Sequence, residues 1–169
     1  MSVTLESLSK DLHRELAAKP ISECCDTVCA LISDALRDDA FVARHLPDRK
    51  EGEHPREVLY EDPDLGFCIC GHVYEGAANS TPHDHGSSWA IYGQAEGTTE
   101  MTDWTITQPG SGDTASKVVP ERVYTLVRGD AHFYDVGAVH SPRRETTTRL
   151  IRVEGANLDH VQRSKIEAA

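Results

Sequence analysis

Two hydrophobic periods divide this chain. Leu5, Leu8, Leu12 and Leu16 recur at helical spacing and predict a helix over residues 4–19, with Thr4 as its cap and Pro20 as its stop. Val28, Leu31, Ile32, Ala35 and Leu36 form the apolar stripe of a second helical stretch, from Ser22 as cap to Leu46. Asp38 and Asp39 interrupt it, leaving a short helix around Phe41–Leu46. Residues 47–55 are polar and loop-like, and beyond them the period changes. Short extended runs are predicted at Glu57–Tyr60, Gly66–Tyr74, Ser88–Ala95, Thr98–Thr107, Arg122–Val127, Ala131–Asp135 and Thr147–Val153. Turn-forming clusters such as Asp62-Pro63-Asp64 and Glu96-Gly97 separate them. Many short strands with no βαβ alternation predict an all-β sandwich or barrel flanked by the two helices. The charged tail after Asp159 reads as a short helix or a frayed end.

With 169 residues the chain suits one structural domain: an N-terminal helical segment at 1–47, a barrel at 48–158 and a tail at 159–169. Its net charge of −11, with no basic cluster, argues against nucleic acid or an anionic membrane as a main partner. The N-terminus, Met1-Ser2-Val3-Thr4-Leu5-Glu6, lacks the basic start and apolar run of a signal peptide, and no apolar stretch is long enough to span a membrane. A cytoplasmic protein is expected. The five cysteines (Cys24, Cys25, Cys29, Cys68 and Cys70) are odd in number and contain no Cys-x-x-Cys pair, so they read as reduced, mostly buried small hydrophobes.

The chemistry concentrates in Thr81-Pro82-His83-Asp84-His85-Gly86-Ser87-Ser88-Trp89-Ala90. His83 and His85 sit two apart in a segment that reads as extended, which points both imidazoles the same way. Such a pair is half of a site for Fe, Cu, Ni or Zn. By itself the spacing is weak, because nine histidines in 169 residues yield about half a His-x-His by chance. A second segment, Gly129-Asp130-Ala131-His132-Phe133-Tyr134-Asp135-Val136-Gly137-Ala138-Val139-His140, supplies a third imidazole. Ligand imidazoles must be neutral, so metal affinity is expected to fall as pH drops through about 6.5.

Together these segments resemble the two motifs of the cupin superfamily. His83 and His85 fill the first histidine pair and Gly97 its closing glycine; Gly129, Gly137 and His140 fill the second motif in register. Asp135 replaces that motif's proline, Arg144 its asparagine, and Ala90 its metal-binding glutamate. The resemblance implies a double-stranded β-helix, a jelly-roll barrel with N-terminal helices, holding a metal at its mouth through His83, His85 and His140. Within that superfamily, His83-Asp84-His85-Gly86 without the glutamate is similar to the thiol dioxygenases, which act on cysteine or 3-mercaptopropionate at a three-histidine Fe(II) site. That likeness implies Fe(II) as cofactor, with Ni, Zn, Mn and Cu as other divalent candidates. It also implies Arg56 as the clamp for a substrate carboxylate. The Ser-x-His-x-Tyr of those enzymes is absent, however, and Arg152 and Glu154 stand where its His and Tyr belong.

Strand parity gives further roles. If position 90 faces inward, Tyr92 and Gln94 face inward too, Tyr92 to meet oxygen or substrate and Gln94 to line the binding site, while Ala90 leaves space in place of a carboxylate. Arg152 with Glu154 reads as an inward pair tuning the site. His72 reads as a satisfied strand histidine, His132 as a structural residue of opposite parity to the metal face, and Trp89 and Trp104 as packing aromatics. Three function classes stay open. The first is an Fe(II)- and O₂-dependent oxygenase acting on a small anionic substrate, thiols included. The second is a metal cupin of another class, such as an isomerase, lyase or C–C-cleaving oxygenase. The third is a non-catalytic metal- or metabolite-binding cupin. Exposed strand edges add the expectation of a homodimer.

Overall fold

The computed structural model of the protein describes residues 3–50 and 52–169. Met1, Ser2 and Glu51, which entered the readings of the N-terminus and of the 47–55 loop, lie outside the described residues.

Three helices come first. Thr4 caps α1 (Leu5–Ala18): its hydroxyl accepts from the Ser7 amide while the Ser7 hydroxyl accepts from its own amide. The second helix, α2 (Ile21–Arg37), is capped at Pro20, two residues before the cap the sequence predicts, so Ser22 lies inside the first turn. Asp38 breaks the stretch as anticipated. Its backbone is extended, and its carboxylate accepts from the amides of Ala40 and Phe41 to open α3 (Asp39–His45).

Ten strands follow in two five-stranded sheets. β1 (Arg56–Glu61), β2 (Cys68–Tyr74), β4 (Ala90–Glu96), β7 (Ala131–Tyr134) and β9 (Thr148–Glu154) form one, in the order β1-β2-β9-β4-β7. β3 (Ala78–Asn79), β5 (Thr99–Gln108), β6 (Ser116–Leu126), β8 (Val139–Arg144) and β10 (Ile166–Ala168) form the other, in the order β10-β6-β5-β8-β3. All pairs are antiparallel except β10 on β6. The result is the jelly-roll barrel with N-terminal helices that the sequence predicts. Three strands went unread, β3, β8 and β10, and β6 was read only in its second half. β8 contains Pro142 and Arg143-Arg144, which look like a loop, and β6 begins at Ser116 because Pro120 sits at a bulge rather than ending the strand. The tail is neither helix nor frayed end: after a 3₁₀ turn at Leu158–His160 it pairs with β6 as β10.

Register in the first sheet decides what faces where. Cys68, Glu154 and Ala90 are paired across neighbouring strands, as are Cys70, Arg152 and Tyr92, then His72, Leu150 and Gln94. These rows point into the barrel. The intervening row, Ile69, Val153 and Ile91, points outward and forms one buried core with Val28, Ile32 and Leu36 of α2. Gly93 in an outward position lets α2 approach, because a Cβ there would sit 2.7 Å from both Ile32 Cγ2 and Leu36 Cδ1. No described helix is long and apolar enough to cross a membrane.

The tail also closes over the barrel. Gly86 has φ +59°, and a Cβ on it would lie 2.2 Å from the Gln162 carbonyl oxygen. Beside it the Asp84 carboxylate accepts from the amides of Gly86 and Ser164. Gly86→Ala is therefore expected to expel residues 161–168 and to cost about 1–3 kcal/mol. Hydrogen exchange reads this at the Ser116 amide, bonded to the Lys165 carbonyl, and at the Ser164 amide. Unchanged protection at both would contradict the packing described.

Candidate metal centre

His83 and His85 lie in an irregular segment, not in the extended strand their spacing suggests. What aims them is a reciprocal backbone bridge: the His83 amide donates to the His140 carbonyl and the His140 amide to the His83 carbonyl, each at 3.0 Å. This ties the first motif to β8. A turn in which the Ser88 amide donates to the His85 carbonyl then brings His85 round. The three ring centroids lie 4.7–5.8 Å apart, and one nitrogen from each ring falls within 4.8 Å of the others.

Protonation states follow from partners. His83 Nδ1 is 2.9 Å from the Thr81 carbonyl oxygen and His140 Nδ1 is 3.2 Å from that of Ala138. A carbonyl only accepts, so each Nδ1 carries the proton and each Nε2 presents a lone pair. His85 Nδ1 is buried without a partner, while its Nε2 lies 3.1 Å from the Tyr92 hydroxyl. Burial lowers all three rings, His83 to about 4, His140 to about 2 and His85 further still. Three neutral imidazoles converging in a buried place suit a divalent transition metal, and the group fits one by its donor chemistry. A second cluster, His13 with Asp62 and Asp64, is a tied hydrogen-bond group in which His13 Nδ1 and Asp62 Oδ2 are 2.9 Å apart.

The residues the sequence nominated around the metal form one chain of contacts. The Tyr92 hydroxyl lies 3.1 Å and 3.3 Å from His85 Nε2 and His140 Nε2, and it accepts from Arg152 Nη1 at 3.2 Å. Arg152 donates to Glu154 Oε1 through Nε at 2.7 Å and Nη2 at 2.6 Å. Arg56 donates to the same carboxylate at 3.3 Å and 2.8 Å, and to Asp159 at 2.6 Å. Burial alone would raise the Glu154 carboxyl, but the Arg56 hydrogen bond and the Arg152 charge hold it below its usual range. The fork of Arg56, expected to clamp a substrate carboxylate, thus holds Glu154.

Other expectations need correcting. Ala90 leaves no space: it is packed with Tyr92, Met101, Leu126 and Tyr134 in a buried cluster. Gln94 is buried and occupied, accepting from Thr99 and donating to the Glu96 carbonyl. His132 shares the inward face after all, since it pairs with Tyr92 in register and its ring lies against Tyr124 and Tyr134. It still stays outside the three-histidine group. His72 is only half satisfied: Nδ1 lies 3.2 Å from the Tyr74 hydroxyl and Nε2 has no partner.

A cavity of about 340 Å³ opens beside the group, lined by His83, Tyr92, His72, Tyr74 and four arginines. Those are Arg56, Arg144, Arg152 and Arg163, with Asp159 as the acidic lining residue. The sequence named Arg144 only as the replacement for a motif asparagine and not as a cavity residue, although its even spacing from His140 on one strand is a usable signal. Arg163 and Asp159 come from the tail. A larger cavity of about 610 Å³ lies between α1, α3 and Tyr60, away from the histidines.

No family model matches the chain, and no curated protein matches it in sequence. Solved structures do. A conserved protein of Klebsiella pneumoniae with a double-stranded β-helix domain aligns at 16% identity and TM-score 0.51, covering 75% of this chain and 88% of that one. A cupin 2 conserved barrel domain protein from Rhodopseudomonas palustris aligns at 17% identity, 71% and 74% coverage and TM-score 0.47. KdgF from Halomonas sp. aligns at 17% identity, 63% and 84% coverage and TM-score 0.46. The likeness to the Klebsiella protein establishes the double-stranded β-helix fold and leaves the chemistry to the residues.

The lowered imidazoles shift the pH window expected from an ordinary histidine. In the unfolded chain these rings titrate near 6.5, so below that pH the unfolded state binds more protons than the folded one. Stability of the metal-free protein should be complete above pH 6.5 and fall as pH drops toward 4, where His83 first protonates in place. Each ring contributes roughly 1 kcal/mol per pH unit. Urea unfolding at pH 7 and 5 measures this, and His85→Asn should flatten the dependence. A parent protein equally stable at both pH values would contradict the buried neutral state.

Proposed function

We propose that the protein is a metal-dependent cupin of the non-haem Fe(II) oxygenase kind, acting on a small anionic substrate that includes a thiol. The observation that carries this reading is the donor set: three neutral imidazoles with no protein carboxylate among them, beside a cavity with more cations than anions. Iron(II) held by His83, His85 and His140 would supply adjacent open positions for O₂ and an anionic ligand. With no ligand carboxylate, the site keeps its positive charge and favours an anion.

The protein's own residues do the rest. Tyr92 places its hydroxyl beside two of the ligand nitrogens, where it can donate to an anion once those nitrogens are engaged by metal. Arg152 fixes that hydroxyl, and Glu154 fixes Arg152. Leu158, Asp159 and Arg163 of the tail line the cavity. One observation favours the second reading, a metal cupin of another reaction class. The pair at 152 and 154 is an arginine–glutamate ion pair, which binds and orients but offers no imidazole to exchange a proton.

Anaerobic loading with Fe(II), followed by O₂ uptake with 3-mercaptopropionate, cysteine and cysteamine, separates these readings. The expected result is about one iron per chain, its loss in His140→Ala, and O₂ consumption with the carboxylate thiols but not with cysteamine. Iron retained by His140→Ala would overturn the metal site. Iron bound without O₂ uptake on any thiol would overturn the oxygenase reading and favour another metal-cupin chemistry.

A further inference from the structure

Arg144 is the one buried cavity arginine whose guanidinium has no hydrogen-bond or ion-pair partner among the described residues. Arg56 and Arg152 are tied to Glu154, and Arg163 is exposed at the rim. Arg144 is buried at 3% exposure, yet its side chain forms no ion pair and no hydrogen bond with a described residue, and its Nε is fully covered without a partner. Its guanidinium lies over the Tyr74 ring, 4.2 Å from the centroid. That contact holds the plane of the fork but leaves its donors open. On the same cavity wall, His72 is 2% exposed and its Nε2 is equally unpartnered. Burying a guanidinium and an imidazole N–H without acceptors is costly, and a fold retains such groups where a ligand completes them.

We propose that Arg144 and His72 form a carboxylate-binding subsite in the cavity next to the three histidines, with Arg144 as the positioning residue for the substrate's acid group. The Tyr74 hydroxyl lies 3.2 Å from His72 Nδ1, and we assign it as the donor there, with the ring proton on Nε2. Burial, with the charges of Arg152, Arg56 and Arg144, keeps that ring neutral. A neutral N–H donor and a forked cation then face one anion, and a carboxylate takes two parallel N–H bonds from the fork and a third from the imidazole. Arg144 and His140 both project inward from β8 four residues apart, and His83 lines the same cavity. A strand rises about 3.3 Å per residue, so these positions are about 13 Å apart along the backbone. A small carboxylate ligand, held by Arg144 at one end, fits a cavity that His83 also lines. The subsite rests on the reading of this cavity as the substrate cavity, but carboxylate binding there does not require the metal.

The test uses the full chain, metal-loaded and chelator-treated in parallel, at constant chloride. The buried Arg144 Nε–H gives a protected ¹⁵N–¹H signal, identified by its disappearance in Arg144→Lys. Titration with propionate should shift that signal saturably in both preparations, and matched propionamide should not. Arg144→Gln should weaken propionate binding at least tenfold, and His72→Gln by several-fold. The wild-type titration reads the subsite even if a variant misfolds. A signal unmoved by propionate, or an equal response to propionamide, would overturn the proposal. Propionate binding that persists while the protein fails to hold metal would sink the metal reading and leave the subsite standing.

Discussion

A buried carboxylate between two guanidiniums sets the geometry of this barrel. Glu154 is fully buried and meets Arg152, Arg56 and the Leu158 amide at once. Removing one partner from such a triad costs about 3–5 kcal/mol, since it strands a charge in a dry place. The triad's value is not bulk stability, which apolar residues supply as well or better. It lies in direction: Arg152, held on one side by Glu154, donates on the other to Tyr92, which stands between two of the three histidines. Arg56 and Asp159 extend the same network to the tail.

The charge distribution runs against the composition. A chain of net charge −11 lines its histidine-bordered cavity with four arginines and leaves its acids outside or tied to them. A cationic cleft with low-dielectric walls concentrates field on a small anion. The imidazoles stay neutral for the same reason the arginines matter: burial and neighbouring positive charge both oppose a proton on the rings.

Much of this was legible in the sequence because it depends on period. The leucines of α1, the stripe of α2 and the inward parity of Ala90, Tyr92 and Gln94 follow from spacings of 3.6 and 2, which local residues determine. Glycines in register with three histidines exposed the barrel and its candidate ligands. What escaped depends on partners far along the chain. The acceptor for Arg56 is Glu154, 98 residues away, so no local pattern distinguishes a substrate clamp from half of an ion pair. β8 escaped because Pro142 and two arginines resemble a loop, and with it went the inward direction of Arg144. The parallel pairing of the tail with β6 leaves no alternation in a charged segment, because its outer face stays in water.

The central claim is that three imidazoles and no protein carboxylate make the metal site. X-ray absorption at the iron edge of the Fe(II)-loaded protein tests it most directly. The account predicts a first shell of nitrogen and light-atom ligands with outer-shell scattering from about three imidazole rings, matching His83, His85 and His140. A spectrum with one ring or none, or with a sulfur shell from Cys68 or Cys70, would contradict it.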